Sequence, residues 1–282
     1  MDMDSRILPE QNTPVSENTP SPQISVVIPV YNENENLEIL MEELTAVLNE
    51  THRSYEVILV DDGSTDKSFQ IMEKMAGRDR RVTVIRFKRN AGQSAAFDAG
   101  FRLAKGEIVV TLDSDLQNDP RDIPLLLEKM GEYDMVCGVR TRRIDSWIRL
   151  ASSKIANYVR NTLSDEEVTD TGCSLKAYRG EFLKRLKLFN GVHRFFPTLM
   201  KMEGARVTEI PVHHRPRKFG KSKYNIRNRL LRSLLDLLAV RWMKKRRLQY
   251  EIEKVIHAPS NNGTADRTGT LLYEVLDPAD RL

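Results

Sequence analysis

Nowhere in its 282 residues does the chain hold the roughly 18 consecutive apolar residues that a membrane-spanning helix needs. Cysteine is almost absent: Cys137 and Cys173 offer neither a disulfide framework nor a metal-ligand spacing. They read as small buried thiols of a reducing compartment. There is no glycine-rich phosphate loop of the GxGxxG or GxxxxGK type, so any diphosphate must rest on a metal and on basic side chains. Residues 1–22 contain Pro9, Pro14, Pro20 and Pro22 but no apolar stretch. They are expected to form a disordered lead and not a signal peptide. No internal repeat is visible.

What remains is enough for one large α/β domain: hydrophobic residues make up 40% of the chain and charged residues 30%. The charge is unevenly spread. Between Arg215 and Arg247 there are 13 Lys and Arg against Asp236 alone, a local +12 that leaves −8 on the remainder of a chain of net +4. A basic segment on an otherwise acidic protein implies an anionic partner. Nucleic acid is not expected, because no recognition motif accompanies the patch.

Hydrophobic patterning gives strands at 24–30, 56–60, 82–87 and 108–112, alternating with helices at 37–48, 66–76 and 93–105. Gly106 is placed to cap the last of these. The alternation implies βαβ units around a mostly parallel sheet, which binds ligands beyond the carboxyl ends of its strands. The polar clusters Tyr31–Glu33, Asp61–Ser64, Lys88–Gln93 and Asp113–Asn118 fall at those ends. Further on, the pattern predicts helices at 122–131, 147–163, 180–187 and 194–203, and strands at 135–139, 173–178 and 207–213.

Asp113-Ser114-Asp115 leaves a buried strand on a turn. Two carboxylates so spaced can converge on Mg²⁺ or Mn²⁺, with substrate phosphates completing the shell. Asp61 or Asp62 can accept from a base imide or ribose hydroxyl, while Ser64, Thr65 or Asp66 caps the following helix. Tyr31 is placed to stack on a base. His213 and His214 are adjacent in a strand, point to opposite faces, and are read as structural.

Taken in order, SVVIPVYNENENL, VILVDDGSTDKS, RNAGQSAAFDAGF and GEIVVTLDSDLQNDP resemble the family 2 inverting glycosyltransferases. VRTRRIDSW, DTGCSLKAYR and EIPVHHRPRKFGKSKY narrow the likeness to the polyprenyl-phosphate branch, which includes dolichol-phosphate mannose synthase and undecaprenyl-phosphate sugar transferases. The resemblance spans about residues 23–240. It implies a GT-A-like nucleotide-sugar-binding domain over 23–225. Asp113, Asp115 and Gln117 match the metal and diphosphate motif. Pro29, Tyr31, Glu33 and Asp61 match the nucleoside pocket, with Asp62 beside it. Arg140, Arg217, Ser222 and Lys223 match phosphate-contacting positions, Arg217 with a catalytic part. Asp170 matches an acidic position near the acceptor.

The resemblance further implies a nucleotide-sugar donor, UDP favoured over GDP, and a polyprenyl-phosphate acceptor. Two other readings stand beside it: transfer to a saccharide acceptor, and a nucleotide-sugar-binding protein without turnover. The bacterial relatives usually continue into two transmembrane helices, and here the sequence departs. Residues 226–250 form a basic amphipathic pattern with Trp242, suited to an anionic membrane surface or to packing on the domain. Residues 251–282 read as a polar tail. The protein is expected at the cytoplasmic face of the membrane, peripherally bound.

Overall fold

The structure is a computed structural model that describes residues 21–141, 169–219 and 227–247, with side chains in the last helix from 235 onward. The expected helix at 147–163, most of the lead, the tail, Ser222 and Lys223 lie outside the described residues. Seven strands form one sheet in the order β3-β2-β1-β4-β6-β5-β7. They are β1 Ile24–Val30, β2 Tyr55–Asp61, β3 Val82–Arg86, β4 Ile108–Thr111, β5 Met135–Arg140, β6 Lys176–Arg179 and β7 Val207–Val212.

The first four strands are mutually parallel. β1, β2 and β4 are buried on both faces, as their near-continuous apolar runs require, while β3 at the sheet edge buries Val82 and leaves Thr83 and Arg86 exposed. Their side chains alternate between two cores. Ile24, Val26, Ile28, Val57, Leu59 and Val110 point to one face, and Val27, Ile58, Val60 and Val109 to the other. The first face is covered by α1 (Leu37–Glu50), α2 (Ser68–Arg78) and α4 (Ile123–Lys129), the last entered through a 3₁₀ turn at Pro120–Asp122. The second is covered by α3 (Gln93–Leu103), α5 (Gly180–Arg185) and α6 (Phe196–Met202). Full burial of such side chains stabilises by about 1.5–3 kcal/mol each.

Two local expectations are corrected. The strand expected at 173–178 is only Lys176–Arg179, and it runs antiparallel to both β4 and β5. β5 ends at the upper edge of the sheet and β6 starts there, so β6 must descend. Gly106 does not cap α3, which ends at Leu103. A Cβ on Gly106 would lie 2.5 Å from the Ser25 nitrogen, so the residue is needed for close approach to β1.

The final helix, α7 (Arg227–Lys245), packs Leu237 and Val240 onto Phe195, with Phe189 alongside. Leu235, Leu238 and Trp242 are exposed by 59, 47 and 64%. No helix among the described residues is long and apolar enough to cross a membrane.

Candidate active site

The chain order places β1 between β2 and β4, and from there successive strands move outward in opposite directions. Ligands bind such sheets at this divergence. The loops there are laced together. Asn32, at a left-handed φ of 54°, accepts from the amides of Thr65 (2.8 Å) and Asp66 (3.3 Å), and its own amide donates to Ser64 Oγ (3.0 Å). The Glu33 amide donates to Ser68 Oγ at 2.9 Å, and Asp66 Oδ1 accepts from the Ser68 amide at the start of α2. None of the three candidate caps is the N-cap residue, which is Lys67; Asp66, one residue earlier, satisfies the first helical amide instead. The Pro29 carbonyl accepts from Ser114 Oγ (3.0 Å), which ties the end of β1 to the Asp113–Asp115 turn. Tyr31 is half-buried beside it.

Asp61 is fully buried at the end of β2. One oxygen accepts from the Ser64 amide at 2.9 Å. The other, Oδ2, has no hydrogen-bond partner among the described residues and lies 3.5 Å from Arg86 Nε. A buried acceptor with unfilled capacity suits an incoming imide or hydroxyl donor. Asp62, expected at the same pocket, has a different job. Its carboxylate takes the amides of Ala91 (2.6 Å) and Gly92 (2.9 Å) and the Asn90 side chain (2.9 Å), so it fastens the connector into α3. Burial lifts its carboxyl above the ordinary range, and those two amides oppose the rise. Gly63 makes this approach possible, since a Cβ there would stand 2.6 Å from the backbone of Arg89 and Asn90.

On the β4 turn, Asp113 Oδ1 accepts from Gln93 Nε2 at 2.7 Å, and its amide donates to Ser174 Oγ at 3.0 Å. Burial first, and then the neighbouring Asp115 charge, push the Asp113 carboxyl up to about 6. Asp115 accepts from the Gln117 amide (3.1 Å) and from the Arg217 guanidinium (2.6 Å). Leu116, with a φ of 61° that is unusual for a branched side chain, bends the chain between Asp115 and Gln117. Arg217 also stands 3.7 Å from Glu33. Arg140 and Asp170, which the sequence divides between donor and acceptor, form a two-point ion pair of 2.7 and 2.8 Å.

The fit to a divalent cation is good in its chemistry. Two hard carboxylates sit close enough that the Asp115 charge raises the proton affinity of Asp113, and a guanidinium already neutralises Asp115. Among the described residues no group of three His, Cys, Asp or Glu converges, so phosphate oxygens or water would complete the shell. His213, in contrast, is committed to the fold through Asp122, with contacts of 2.7 Å from both its amide and its ring. Sequence reasoning missed Gln93, Ser174 and Lys176. Only the position of Gln93 at a helix start beyond a strand signalled it.

The description "Glycosyl transferase family 2" matches residues 25–187. An undecaprenyl-phosphate 4-deoxy-4-formamido-L-arabinose transferase of Salmonella paratyphi A is 41% identical over 221 residues, 78% of this chain and 67% of that protein. The same transferase of Edwardsiella ictaluri is 40% identical over 217 residues, 76% and 66% of the two chains. The glucosyl-3-phosphoglycerate synthase of Mycobacterium tuberculosis, solved with Mn²⁺, UDP and phosphoglyceric acid, superposes with a TM-score of 0.60. The identity is 18%, over 81% of this chain and 80% of that one. A mannosyltransferase of Pyrobaculum calidifontis, solved with GDP-Man and Mn²⁺, gives 0.56 at 22% identity over 82 and 66%. The structural likenesses establish a GT-A fold, and the sequence matches establish more: the chain belongs to glycosyl transferase family 2 and is a glycosyltransferase.

Proposed function

We propose that the chain moves a sugar from a nucleotide diphosphate, UDP in preference to GDP, onto a polyprenyl phosphate at the cytoplasmic face of a membrane. The relatives named for undecaprenyl-phosphate transfer support the acceptor. The observation that carries the reading is the meeting of Asp61, Asp113 and Asp115 at one sheet edge, with the Arg140–Asp170 pair at its rim. Asp61 Oδ2 would accept from the base. Asp113 and Asp115, with Gln117, would hold Mg²⁺ or Mn²⁺, which supplies charge neutralisation to the leaving diphosphate. Arg217, beside them, is poised to serve the same anion.

An acceptor phosphate monoester has a second pKa near ~6 and is largely dianionic at neutral pH. It needs alignment more than a base. Asp170 fits that economy, because both of its oxygens already face the Arg140 guanidinium and orient it. A neutral saccharide hydroxyl would require a proton acceptor, and this pairing disfavours that reading.

The exposed Leu235, Leu238 and Trp242 of α7 lie among Arg241, Lys244, Lys245, Arg246 and Arg247. This combination suits an anionic lipid interface on the face opposite the packed one. The decisive experiment offers the protein UDP- and GDP-sugars with undecaprenyl phosphate and Mn²⁺, and reads lipid-linked product by mass spectrometry. Product from a UDP-sugar, absent in excess chelator and in Asp115→Ala, is expected. No lipid-linked product from any donor, or undiminished turnover in chelator, would sink the reading.

A further inference from the structure

Lys176 is a charged residue in the middle of a sheet, on β6, paired in register with Thr111 of β4 and Cys137 of β5. It is 3% exposed. Among the described residues its ammonium has one hydrogen-bond acceptor, the Cys173 carbonyl. An ammonium carries three donors, and burying it with most of them unfilled is costly unless something else arrives to accept.

The side chain lines a cavity of about 120 Å³ that opens beside Asp113. The cavity has a polar wall, with Ser174, Thr171 and His193, and an aromatic floor. In that floor Tyr178 and Phe196 meet edge to face at 5.8 Å between ring centres, and Phe97 meets Phe196 at 5.9 Å. An apolar floor under convergent polar groups is the usual make-up of a small-ligand site. Here it matches a sugar ring, which presents C–H groups on its faces and oxygens at its edge.

We infer that Lys176 is a specificity-determining residue that donates a hydrogen bond to an oxygen on the donor's sugar ring or its substituent, an acyl carbonyl or carboxylate in preference to a hydroxyl. The inference rests on the nucleotide-sugar reading and deepens it. The placement follows from connectivity. A sugar is bonded directly to the diphosphate, so it must lie within about one ring of Asp113. Lys176 is one strand over, a spacing of roughly 4.8 Å, and level with Thr111, two residues before Asp113. The lipid phosphate must keep its long chain outside the protein, and a cavity of about 120 Å³ has no room for one. A buried cation with open donors favours a strong acceptor, because only that fully offsets its desolvation.

The test compares UDP with UDP-glucose, UDP-N-acetylglucosamine and UDP-glucuronate by calorimetric titration in Mn²⁺, on wild type, Lys176→Met and Lys176→Arg. In wild type at least one of the carbonyl- or carboxylate-bearing donors should bind more tightly than UDP. In Lys176→Met that advantage should fall about 10- to 100-fold, the range for a lost hydrogen bond to a charged group, with UDP affinity unchanged. Lys176→Arg keeps the charge but moves the donors, so it should retain UDP affinity and lose part of the advantage; it serves alone if the Met variant fails to melt cooperatively. Three results overturn the inference: no UDP-sugar bound better than UDP by wild type, equal weakening of UDP and UDP-sugar, or intact donor binding with a raised acceptor KM. Failure of wild type to bind any uridine or guanosine nucleotide refutes the underlying reading instead, and Lys176 falls with it.

Discussion

Replacing Arg217 with alanine should move two affinities in opposite directions. Its guanidinium lies 2.6 Å from Asp115 Oδ2 and 3.7 Å from Glu33. A cation is therefore already at one of the carboxylates a metal would use, and Mn²⁺ entering without nucleotide must displace it. A charge-assisted hydrogen bond contributes about 1.5–3 kcal/mol when well shielded. The Arg217 side chain is 27% exposed and Asp115 10%, so solvent and the entropy of a long side chain reduce that to about 1–2 kcal/mol. Arg217→Ala should thus bind Mn²⁺ about 5- to 30-fold more tightly than wild type in the absence of nucleotide. With UDP present, the same variant should bind the nucleotide more weakly, because the guanidinium no longer serves the diphosphate. Titration of free Mn²⁺ by electron paramagnetic resonance, with and without UDP, reads both quantities. Unchanged or weaker Mn²⁺ binding by the nucleotide-free variant would refute the displacement argument, whatever happens to turnover.

Asp61→Ala should weaken UDP binding about 10-fold or more while leaving nucleotide-free Mn²⁺ binding intact, since this carboxylate is assigned to the base; equal UDP affinity in both proteins removes that role. Arg215 bridges Asp119 and Glu43 at 2.7 Å each, and its loss should cost about 2–3 kcal/mol, with Arg121 still covering part of the Asp119 charge. Hydrogen bonds from Arg121 and Arg215 outweigh burial and hold the Asp119 carboxyl well below the ordinary range, so this stability is fully present above about pH 5. The gap between wild type and Arg215→Met in urea midpoints should therefore hold from pH 8 to 5 and shrink as pH falls through 4 toward 3; a gap that widens on acidification contradicts the assignment. Leu238→Ser with Trp242→Ser, both exposed, should reduce flotation with anionic liposomes and leave the melting temperature within a degree or two. Equal flotation of wild type and the double variant would show that α7 does not hold the protein to lipid, and wild-type flotation should also weaken as salt is raised.

Much of this was legible in the sequence because the signals were local. The alternation of apolar strands with helices placed β1 to β4 and α1 to α3 within a residue or two. The polar clusters at their ends were the ones brought together. What stayed hidden depended on partners far along the chain. Nothing in Asp61-Asp62 alone distinguishes the acid with an open oxygen from the one fastening Asn90–Gly92, because the two are adjacent at the end of one strand. The direction of β6 was not readable either: four residues, Lys176–Arg179, carry no mark of whether the chain climbs or descends. Lys176 looked like an ordinary charge until the sheet closed on both sides of it. The pairing of Arg140 with Asp170 joins residues 30 apart in sequence, and no spacing rule announces it.

The reversed strand also divides labour. β6 meets β4 across just four residue pairs, from Ile108 with Arg179 to Thr111 with Lys176. On one side of this seam lie the strands that end in Asp61, Asp113 and Asp115. On the other lie β5 and β7, whose ends carry Arg140 and lead into the Arg215–Arg217 segment. On the proposed reading the two halves would touch the same ligand from separate stretches of chain, one before residue 120 and one after 134. The two stretches are also tied by Ser174 to Asp113 and Asn118, by His213 to Asp122, and by Arg215 and Arg217 to Asp119, Glu43 and Asp115. On the same reading, the seam divides the part that would grip the nucleotide from the part that would meet sugar and acceptor.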